Sequence, residues 1–388
     1  MEYFGMSQEE LQKAGAYWTA REICQQPQIW AGVQELIARD ATALRGFLTP
    51  LLHRKELRIV LTGAGTSAFV GECVAPALAR KIELRVDAAA TTDLVGSPEC
   101  WLPRTVPTLL VSFARSGNSP ESVAALKIAE QCLQECHHFI VTCNSEGALY
   151  RFGNTRRNTR VILLPDETND RGFAMTSSFS AMLLATALTF ELIVGEVTGM
   201  TPLLRWASQV LTSVLPLINN LARQGFERVV YLGSGELKGL ARESALKMLE
   251  LSDGHVVAVS DTPLGFRHGP KTIVNRRTLV VLFLSNDPYT RRYEVDLLNE
   301  LRKDGVAGRV LALSGESDQG TEHADNVLLA GGAQASSLAL CFPYVVFAQT
   351  LALMQSLALG LRPDVPNAKG TVNRVVRGVS IYPLDLTR

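Results

Sequence analysis

Short apolar runs, separated by longer amphipathic stretches, make up most of the first half of this chain. Five of these runs have the length of a strand, at residues 57–62, 84–88, 108–112, 138–143 and 160–164. Helical patterns lie between and after them, up to about residue 81, over 121–130 and over 172–193. Apolar runs that alternate with helices in this way are typical of a parallel sheet buried on both faces. This half is therefore predicted to form a doubly wound α/β sheet.

The second half repeats the first at a nearly constant distance in the sequence. Segments 229–235, 278–285 and 309–314 resemble segments 59–65, 108–115 and 138–143, in the same order and with almost the same offset. Three strands that keep almost one offset indicate two copies of one domain. The predicted fold class is therefore α/β, with two tandem doubly wound three-layer α/β/α domains, five-stranded parallel sheets and N-terminal helices.

The expected domain organisation follows from this repeat. The predicted parts are an N-terminal helical segment (1–45), a first domain (46–200) and a second domain with a C-terminal tail (201–388), with 195–202 as the linker. A capping-box pattern from Ser7 to Glu10 predicts a helix that runs to about Gln25 and is stopped by Pro27. A second helix is predicted over 28–52.

A small polar loop follows the strand at 108–112. It reads Arg115-Ser116-Gly117-Asn118-Ser119, and Pro120 then opens a helix with Ser119 at the N-cap position. Hydroxyls, free N–H groups and the positive end of a helix dipole favour an anion, and a phosphate fits best. The alternative is an ordinary capped turn.

The two copies differ at this loop. The second copy has Asn286-Asp-Pro-Tyr-Thr290, which is bulkier and carries a carboxylate, so the phosphate is expected in the first copy. The second copy instead concentrates titratable groups. They are Glu243, Glu250, Asp253, His255, Asp261 and His268.

A second glycine-rich loop leaves a rival function open. Residues 63–68 fit the dinucleotide pattern G-x-G-x-x-A, with Asp87 at a suitable distance for a ribose contact. The matching segment of the second copy, 233–238, lacks the third small residue, and a dinucleotide would not need another polar loop at Ser116. A phosphate and a sugar suit two adjacent polar loops better than a dinucleotide.

The charge balance and the cysteine pattern bear on which partners and metals the chain is expected to bind. Lys plus Arg and Asp plus Glu each number 38 in 388 residues, so no charge excess favours nucleic acid or an acidic membrane. The seven cysteines form no CxxC motif and are interpreted as reduced core residues. Cys132, Cys136 and His137 lack a second ligand cluster, so no metal site is expected.

Two further segments bear on localisation. The N-terminus has no basic region followed by an apolar core, so no secretory signal is predicted. The uncharged stretch 331–360 is interrupted by Pro343, Gln349 and Gln355, which favours a buried or interface helix over a membrane span. We expect a soluble cytoplasmic protein.

Three candidate residues have ordinary explanations when each is taken alone. Glu250 and Glu243 share one helix face, which solvent commonly covers. His268 lies in a Gly- and Pro-containing loop that could hold an imidazole open to a ligand. Lys369 lies in an irregular tail, where a solvated lysine is the usual case.

Together these residues make the chain resemble the sugar isomerase (SIS) family over about residues 45–385. The segment Gly65-Thr66-Ser67 matches the family's first phosphate loop, and Ser116-Gly117-Asn118-Ser119 matches its second. The family's base glutamate, ring-opening histidine and tail lysine lie in stretches like those that contain Glu250, His268 and Lys369. One departure is Ala114-Arg115, where the related synthases usually have Ser-Gln, so Arg115 changes what lies beside the phosphate.

The resemblance is greatest to the double-domain galactosamine-6-phosphate deaminase/isomerases, also described as tagatose-6-phosphate ketose/aldose isomerases. It implies conversion of D-galactosamine 6-phosphate to D-tagatose 6-phosphate and ammonia, with no metal or cofactor, in a homodimer or higher homo-oligomer. His268 would open the sugar ring, and Glu250 would move the proton from C2. Thr176, Ser177 and Ser178 are expected to contact sugar hydroxyls.

Other functions remain open from the residues alone. A simple ketose/aldose isomerase or deglycase acting on another sugar phosphate would share these motifs, as would a sugar-phosphate sensor without turnover. Sensors of this family usually carry a DNA-binding domain, and the segment 1–45 is too short and uncharged for one. No amidotransferase half is expected, so glutamine would not supply ammonia. The residues do not fix the preference at C4, nor whether a neighbouring subunit completes the site.

Overall fold

The computed structural model describes residues 2–194, 200–317, 326–376 and 378–385. The strands are β1 Glu2–Tyr3, β2 Met6–Ser7, β3 Arg58–Thr62, β4 Arg85–Ala88, β5 Thr108–Ala114, β6 Cys136–Thr142, β7 Thr159–Leu163, β8 Arg228–Leu232, β9 Val257–Asp261, β10 Thr278–Phe283, β11 Arg309–Ser314 and β12 Val327–Leu328. The helices are α1 Gln8–Ala14, α2 Tyr17–Cys24, α3 Gln26–Leu52, α4 Thr66–Lys81, α5 Thr91–Gly96, α6 Pro98–Trp101, α7 Pro120–Cys132, α8 Ala148–Asn154, α9 Ser177–Val194, α10 Met200–Leu211, α11 Leu215–Ala222, α12 Glu236–Leu251, α13 Pro263–Phe266, α14 Pro288–Asp304 and α15 Ser337–Ala358.

The first five-stranded sheet has the order β4-β3-β5-β6-β7, and all its neighbouring strands are parallel. Both β3 and β5 are buried along their whole length, because helices cover central strands of such sheets on both faces. The strand order reverses between β3 and β5. Their carboxyl ends therefore flank the crevice where open α/β sheets bind ligands.

The second sheet repeats this topology, with the parallel order β12-β11-β10-β8-β9. Arg58 lies opposite Thr108 in the first sheet, and Arg228 lies opposite Thr278 in the second. The central strands of the two sheets therefore pair in the same register, at the offset that the sequence repeat has. The predicted repeat and the predicted α/β fold class are both confirmed.

The chain divides into two compact units, each of which draws on separate parts of the sequence. The first-sheet unit comprises Gln28–Asp170, Ser177–Thr198 and Lys369–Arg388, and the second-sheet unit comprises Met1–Pro27, Arg171–Thr176 and Gly199–Ala368. The C-terminal tail thus belongs to the same unit as the first sheet. Most of the predicted linker, at 195–199, lies outside the described residues.

Two helices, α9 and α15, are long and apolar enough to cross a membrane by length and composition alone. Their apolar windows are 83% and 89% buried inside the protein, so both are core helices. Helix α15 contacts α10, α11 and α12 of its own unit. The prediction that 331–360 contains a buried helix is confirmed, and α15 does not need a partner chain to cover it.

The N-terminal helices differ from the predicted pair. The expected single helix up to Gln25 is broken into α1 and α2, because Gly15 ends α1 in the left-handed conformation (φ 63°). Pro27 does not stop a helix, since it is the second residue of α3. Proline is tolerated there because the N–H groups of a first helical turn have no acceptor within the helix.

Candidate functional site

The first predicted phosphate loop leads from β3 directly into α4. Its shape requires glycine, because a Cβ at Gly63 would lie 2.6 Å from the backbone carbon of Ser67, and Gly65 has φ +56°. Thr66 and Ser67 are buried in the first turn of α4. The hydroxyls of both residues therefore lie beside the positive end of the α4 dipole.

The second loop leads from β5 into α7 and is held in shape by the segment after β6. Asn144 Nδ2 donates to the Ser116 carbonyl (2.8 Å), and the Ala148 N–H donates to Asn118 Oδ1 (2.9 Å). Gly117 lies in the left-handed region (φ 65°). Since β3 and β5 are neighbours, this loop and the loop at Gly65 leave the same edge of the sheet.

Ser119 occupies the N-cap position of α7, as predicted, but its hydroxyl does not cap the helix. Instead the hydroxyl donates to Ser122 Oγ at 2.6 Å. The first-turn N–H groups of α7 thus have no side-chain cap at Ser119, which suits an anion site.

Arg115, the residue that departs from the synthase pattern, is buried immediately before this loop. Its Nη2 donates to the main-chain carbonyl of Arg374 at 2.6 Å. A buried guanidinium therefore lies at the entrance of the Ser116 loop, where the synthases usually have a neutral residue.

The predicted sugar-hydroxyl residues are fully buried. The Asp170 carboxylate accepts hydrogen bonds from the Ser177 and Ser178 hydroxyls and from the Ser178 N–H. The Thr176 carbonyl accepts from Gln349 Nε2 at 3.3 Å. The Ser178 hydroxyl, which donates to Asp170, can act toward a ligand as a hydrogen-bond acceptor.

Helix α12 carries the main charged cluster of the second-sheet unit. Glu243, Lys247 and Glu250 follow one another at spacings of four and three positions, so they share one helix face. Lys247 Nζ contacts Glu250 Oε2 and lies 3.6 Å from Glu243 Oε1. The side chains of Glu243 and Lys247 are fully buried, whereas Glu250 is 24% exposed.

This arrangement differs from a solvated helix face. A buried ammonium lies between two carboxylates, and of the three groups only Glu250 reaches the surface. Lys247 therefore orients a carboxylate that remains accessible to a ligand, as a general base requires. Sequence reasoning did not single out Lys247, although its spacing from both glutamates was visible.

His268 lies in the loop after α13, and its side chain is exposed. The neighbouring residues hold this loop against α14, because Arg267 Nε contacts Glu300 at 2.8 Å and Lys271 Nζ contacts Asp304 at 2.6 Å. Gly269 has φ +120°, a conformation that L side chains rarely adopt. Contacts on both sides of His268 therefore hold the loop in place, while the His268 imidazole stays exposed.

The second-sheet unit does not bring Glu250 and His268 together. Helix α12 packs on α15, whereas Phe266, just before the His268 loop, packs in one apolar cluster with Leu297 and Leu301 of α14. Right-handed crossovers from β8 to β9 and from β9 to β10 run in opposite directions along the sheet, so they place α12 and α13 on opposite faces. One unit therefore presents the two residues on different sides.

In the second sheet, the crevice between β8 and β10 holds one of the protein's own carboxylates. Glu294 of α14 is fully buried and accepts a hydrogen bond from the Ser285 N–H at 2.7 Å. Burial raises the pKa of the Glu294 carboxyl to about 7, although the Ser285 N–H, the Ser234 hydroxyl and Arg291 favour the ionised form. A buried carboxyl group in the second copy at this place is consistent with the expectation that a phosphate binds in the first copy.

The dinucleotide alternative finds little support in the geometry. Asp87, which a dinucleotide would use for its ribose, contacts Arg58 Nε at 2.6 Å and Arg85 Nε at 2.9 Å. Within the described residues, no group of three His, Cys, Asp or Glu side chains could hold a metal ion.

Lys369 begins the tail of the first-sheet unit and is exposed. The tail continues to Arg374, which contacts both Arg115 and Asp170.

Comparison with known proteins supplies the family context. The model of the SIS domain matches residues 51–192 and 222–359. D-galactosamine-6-phosphate deaminase AgaS of Escherichia coli is 46% identical over 373 residues, which cover 94% of this chain and 96% of that protein. The protein of the same name from Shewanella sp. strain ANA-3 is 43% identical, with coverage of 97% and 95%.

A solved structure agrees with these relatives. The crystal structure of tagatose-6-phosphate ketose/aldose isomerase from Escherichia coli superposes with a TM-score of 0.85 at 43% identity. The match covers 94% of this chain and 96% of that chain.

Proposed function

The chain belongs to the SIS family, and we propose on this basis that it is an amino-sugar-phosphate deaminase/isomerase. Its reaction converts D-galactosamine 6-phosphate and water to D-tagatose 6-phosphate and ammonia. The observation that carries this proposal is the similarity to deaminases of that substrate at 43% and 46% identity, over 97% and 94% of the chain. The buried cluster on α12 and the loops at Ser67 and Ser116 supply groups suited to the chemistry.

The phosphate is held by the loops that contain Gly65, Thr66 and Ser67 and the residues Ser116 to Ser119. Each hydrogen bond to a charged oxygen contributes roughly 1.5–3 kcal/mol. Since the phosphate is remote from C1 and C2, this binding energy positions the reacting carbons. Arg115 adds a positive charge beside the same loop.

Proton transfer between C2 and C1 is the task of Glu250. With the sugar in its open aldehyde form, Glu250 removes the proton from C2 while O1 gains a proton, which gives an enolamine. Return of a proton to C1 and loss of one from nitrogen give the ketimine at C2. Water adds to this ketimine, the C–N bond breaks, and ketose phosphate and ammonia are released. Lys247 orients Glu250 throughout.

Ring opening needs a proton to reach O5 while one leaves O1, and His268 is the group proposed for it. Glu250 and His268 lie on opposite faces of the second sheet, so one chain does not supply both to one substrate. We therefore propose a homodimer in which His268 of one copy serves the substrate attacked by Glu250 of the other.

The cellular location and the need for a redox cofactor are two further parts of the proposal. The proposed location is the cytoplasm, which suits the free cysteines found among the described residues. None of the proposed steps transfers electrons to or from a second molecule, so the reaction calls for no redox cofactor.

The second candidate function is aldose–ketose isomerisation of a sugar phosphate without an amino group. It is favoured by the similarity to the Escherichia coli protein described as a tagatose-6-phosphate ketose/aldose isomerase. Both reactions use the same C2 base. A panel of amino and neutral hexose 6-phosphates separates them, because only the deaminase releases ammonia.

The decisive experiment is Glu250→Gln. Glutamine keeps the shape and hydrogen-bonding reach of Glu250 but cannot accept the C2 proton. We expect ammonia release to fall by roughly 10²–10⁴-fold while substrate binding persists, and exchange of C2–H with solvent deuterium to stop. Exchange at the native rate in Glu250→Gln would show that another residue is the base, and Glu243 would be tested next.

A further inference from the structure

The C-terminal tail of the first-sheet unit begins at Lys369 and contacts the rest of that unit through Arg374. Its described residues, 369–376 and 378–385, form no helix or strand, and almost all of them are exposed. Arg374 and Val375 are half-buried, and Leu384 packs against the apolar cluster beside β5. Arg374 is therefore a polar attachment point of the tail, five positions after Lys369.

The Arg374 side chain binds the end of the segment that precedes Arg171. Its Nε and Nη2 both donate to the main-chain carbonyl of Asp170, the former at 2.9 Å, and Nη2 also reaches Asn169 Oδ1 at 3.2 Å. A guanidinium can supply these donors from one rigid plane. Lysine, with a single ammonium, could not reproduce the set.

The main chain of Arg374 makes a second connection. Its carbonyl accepts the hydrogen bond from Arg115 Nη2 at 2.6 Å. Arg115 is buried and directly precedes Ser116, so the tail carbonyl fixes the guanidinium beside the Ser116 loop. Without this acceptor the buried Nη2 donor would lose this hydrogen bond, and the guanidinium would reorient or become solvated.

Asp170 links Arg374 to Ser177 and Ser178 at the start of α9. Its carbonyl accepts from Arg374, while its carboxylate accepts from Ser177 and Ser178. Arg374 thus contacts Arg115 through its carbonyl, and through its guanidinium it contacts Asp170, which binds Ser177 and Ser178.

We propose that Arg374 is a positioning residue that holds the tail, and with it Lys369, beside the phosphate loop, and that fixes Arg115 toward the bound phosphate. This inference rests on the proposed function, since it assigns the Ser116 loop to phosphate. The chemistry is electrostatic: a guanidinium of fixed orientation attracts the phosphate dianion more strongly than one that samples several rotamers. Arg374 itself touches no substrate.

The test compares Arg374→Ala with Arg374→Lys and with the control Asn373→Ala. Asn373 is the exposed neighbour, and its amide donates only within the tail, to the Gly370 carbonyl at 3.3 Å. Hydrogen–deuterium exchange of the tail is measured without ligand, and KM and kcat for ammonia release are measured with D-galactosamine 6-phosphate. Binding of inorganic phosphate is measured by titration calorimetry.

We expect Arg374→Ala to speed exchange of the tail amides around residue 374 and to raise both KM and the Kd for inorganic phosphate by about tenfold. Arg374→Lys should be intermediate, and Asn373→Ala should match the native protein in all three measurements.

Native exchange in Arg374→Ala would overturn the inference, whatever the activity. Faster exchange with unchanged KM and phosphate affinity would also overturn it, because the tail would then be irrelevant to the site. If the native protein releases no ammonia, the proposed function fails. The phosphate titration still decides the inference in that case: weaker binding by Arg374→Ala supports it, and equal binding overturns it.

Discussion

Buried charges distinguish the residues of α12 from those of an ordinary surface helix. Removing charges from water costs several kcal/mol per ion unless close partners compensate. The protein nevertheless buries Glu243 and Lys247 completely and leaves Glu250 partly exposed at the end of the row. A charge cluster that is buried on one side and open at one carboxylate is typical of a functional site.

Glu294 provides a prediction at the residue scale. Its pKa is raised from 4.5 in an exposed carboxyl to about 7, so between these values the folded state binds more protons than the unfolded state. The free energy of unfolding should therefore decrease as pH rises from about 4.5 to 7. Arg291, Asp287 and Tyr344 are the other charged or titratable groups that act on this carboxyl.

Glu294→Gln should remove this pH dependence. Relative to the native protein, the variant should gain stability on going from pH 5 to pH 8, by on the order of 1–3 kcal/mol. Urea unfolding at both pH values measures the difference. Glu300→Gln on the same helix is the control: a hydrogen bond from Lys271 lowers the pKa of Glu300, so this carboxyl affects the pH dependence only below about pH 4.5, and the variant should keep the native change in stability between pH 5 and pH 8. An identical pH profile for Glu294→Gln and the native protein would contradict the assignment.

At the scale of elements, the loop between β5 and α7 is the part that the two copies do not share. In the first copy it is a small, hydroxyl-rich loop supported by Asn144, whereas in the second copy Asp287 caps α14. The same strand–loop–helix unit thus presents hydroxyls and N–H groups in one copy and a carboxylate in the other.

Ser116→Asp should raise KM for any phosphorylated sugar, because it sets a carboxylate against the phosphate. Loss of one charged hydrogen bond, roughly 1.5–3 kcal/mol, corresponds to an increase of about 10–100-fold, and Ser116→Ala should give less. Steady-state kinetics measure the effect. Ser208→Asp, at an exposed position of α10, makes the same charge change and should leave KM unaltered. An unchanged KM for Ser116→Asp would refute the phosphate assignment.

At the scale of the whole molecule, the proposed homodimer does not depend on α15, which is buried inside the chain. It depends on the separation of Glu250 and His268 across the second sheet. This separation predicts an active site that two chains share. Light scattering alone does not test that prediction, because a dimer could also form with an independent site in each chain.

Mixing the inactive variants Glu250→Gln and His268→Ala tests the shared site. In a mixed dimer, one site then contains both substitutions and the other contains neither. Random exchange of subunits should therefore restore about a quarter of the native ammonia release. Each variant mixed with itself is the control and should stay inactive. No recovery after confirmed subunit exchange would mean that each chain supplies both residues to its own site.

The elements and their repetition could be predicted before any coordinates were known. The features that indicate them are apolar runs of strand length, helical patterns, and glycine or proline signals. Each of these can be recognised in a short stretch of sequence. The constant offset between the two halves predicted the second sheet, and the resemblance of short motifs indicated the family. The break at Gly15 was missed, although a glycine followed by a new helical pattern indicates it.

The grouping of buried side chains, in contrast, became visible only in the folded chain. The contact between Arg115 and Arg374 joins residues 259 positions apart, and the burial of Lys247 and Glu294 depends on helices from distant segments. The sheet topology also placed Glu250 and His268 on opposite faces, although they are only 18 positions apart in the sequence. Such features escape a sequence pattern because desolvation and long-range hydrogen bonds depend on the packing of the folded chain, which local periodicity does not specify.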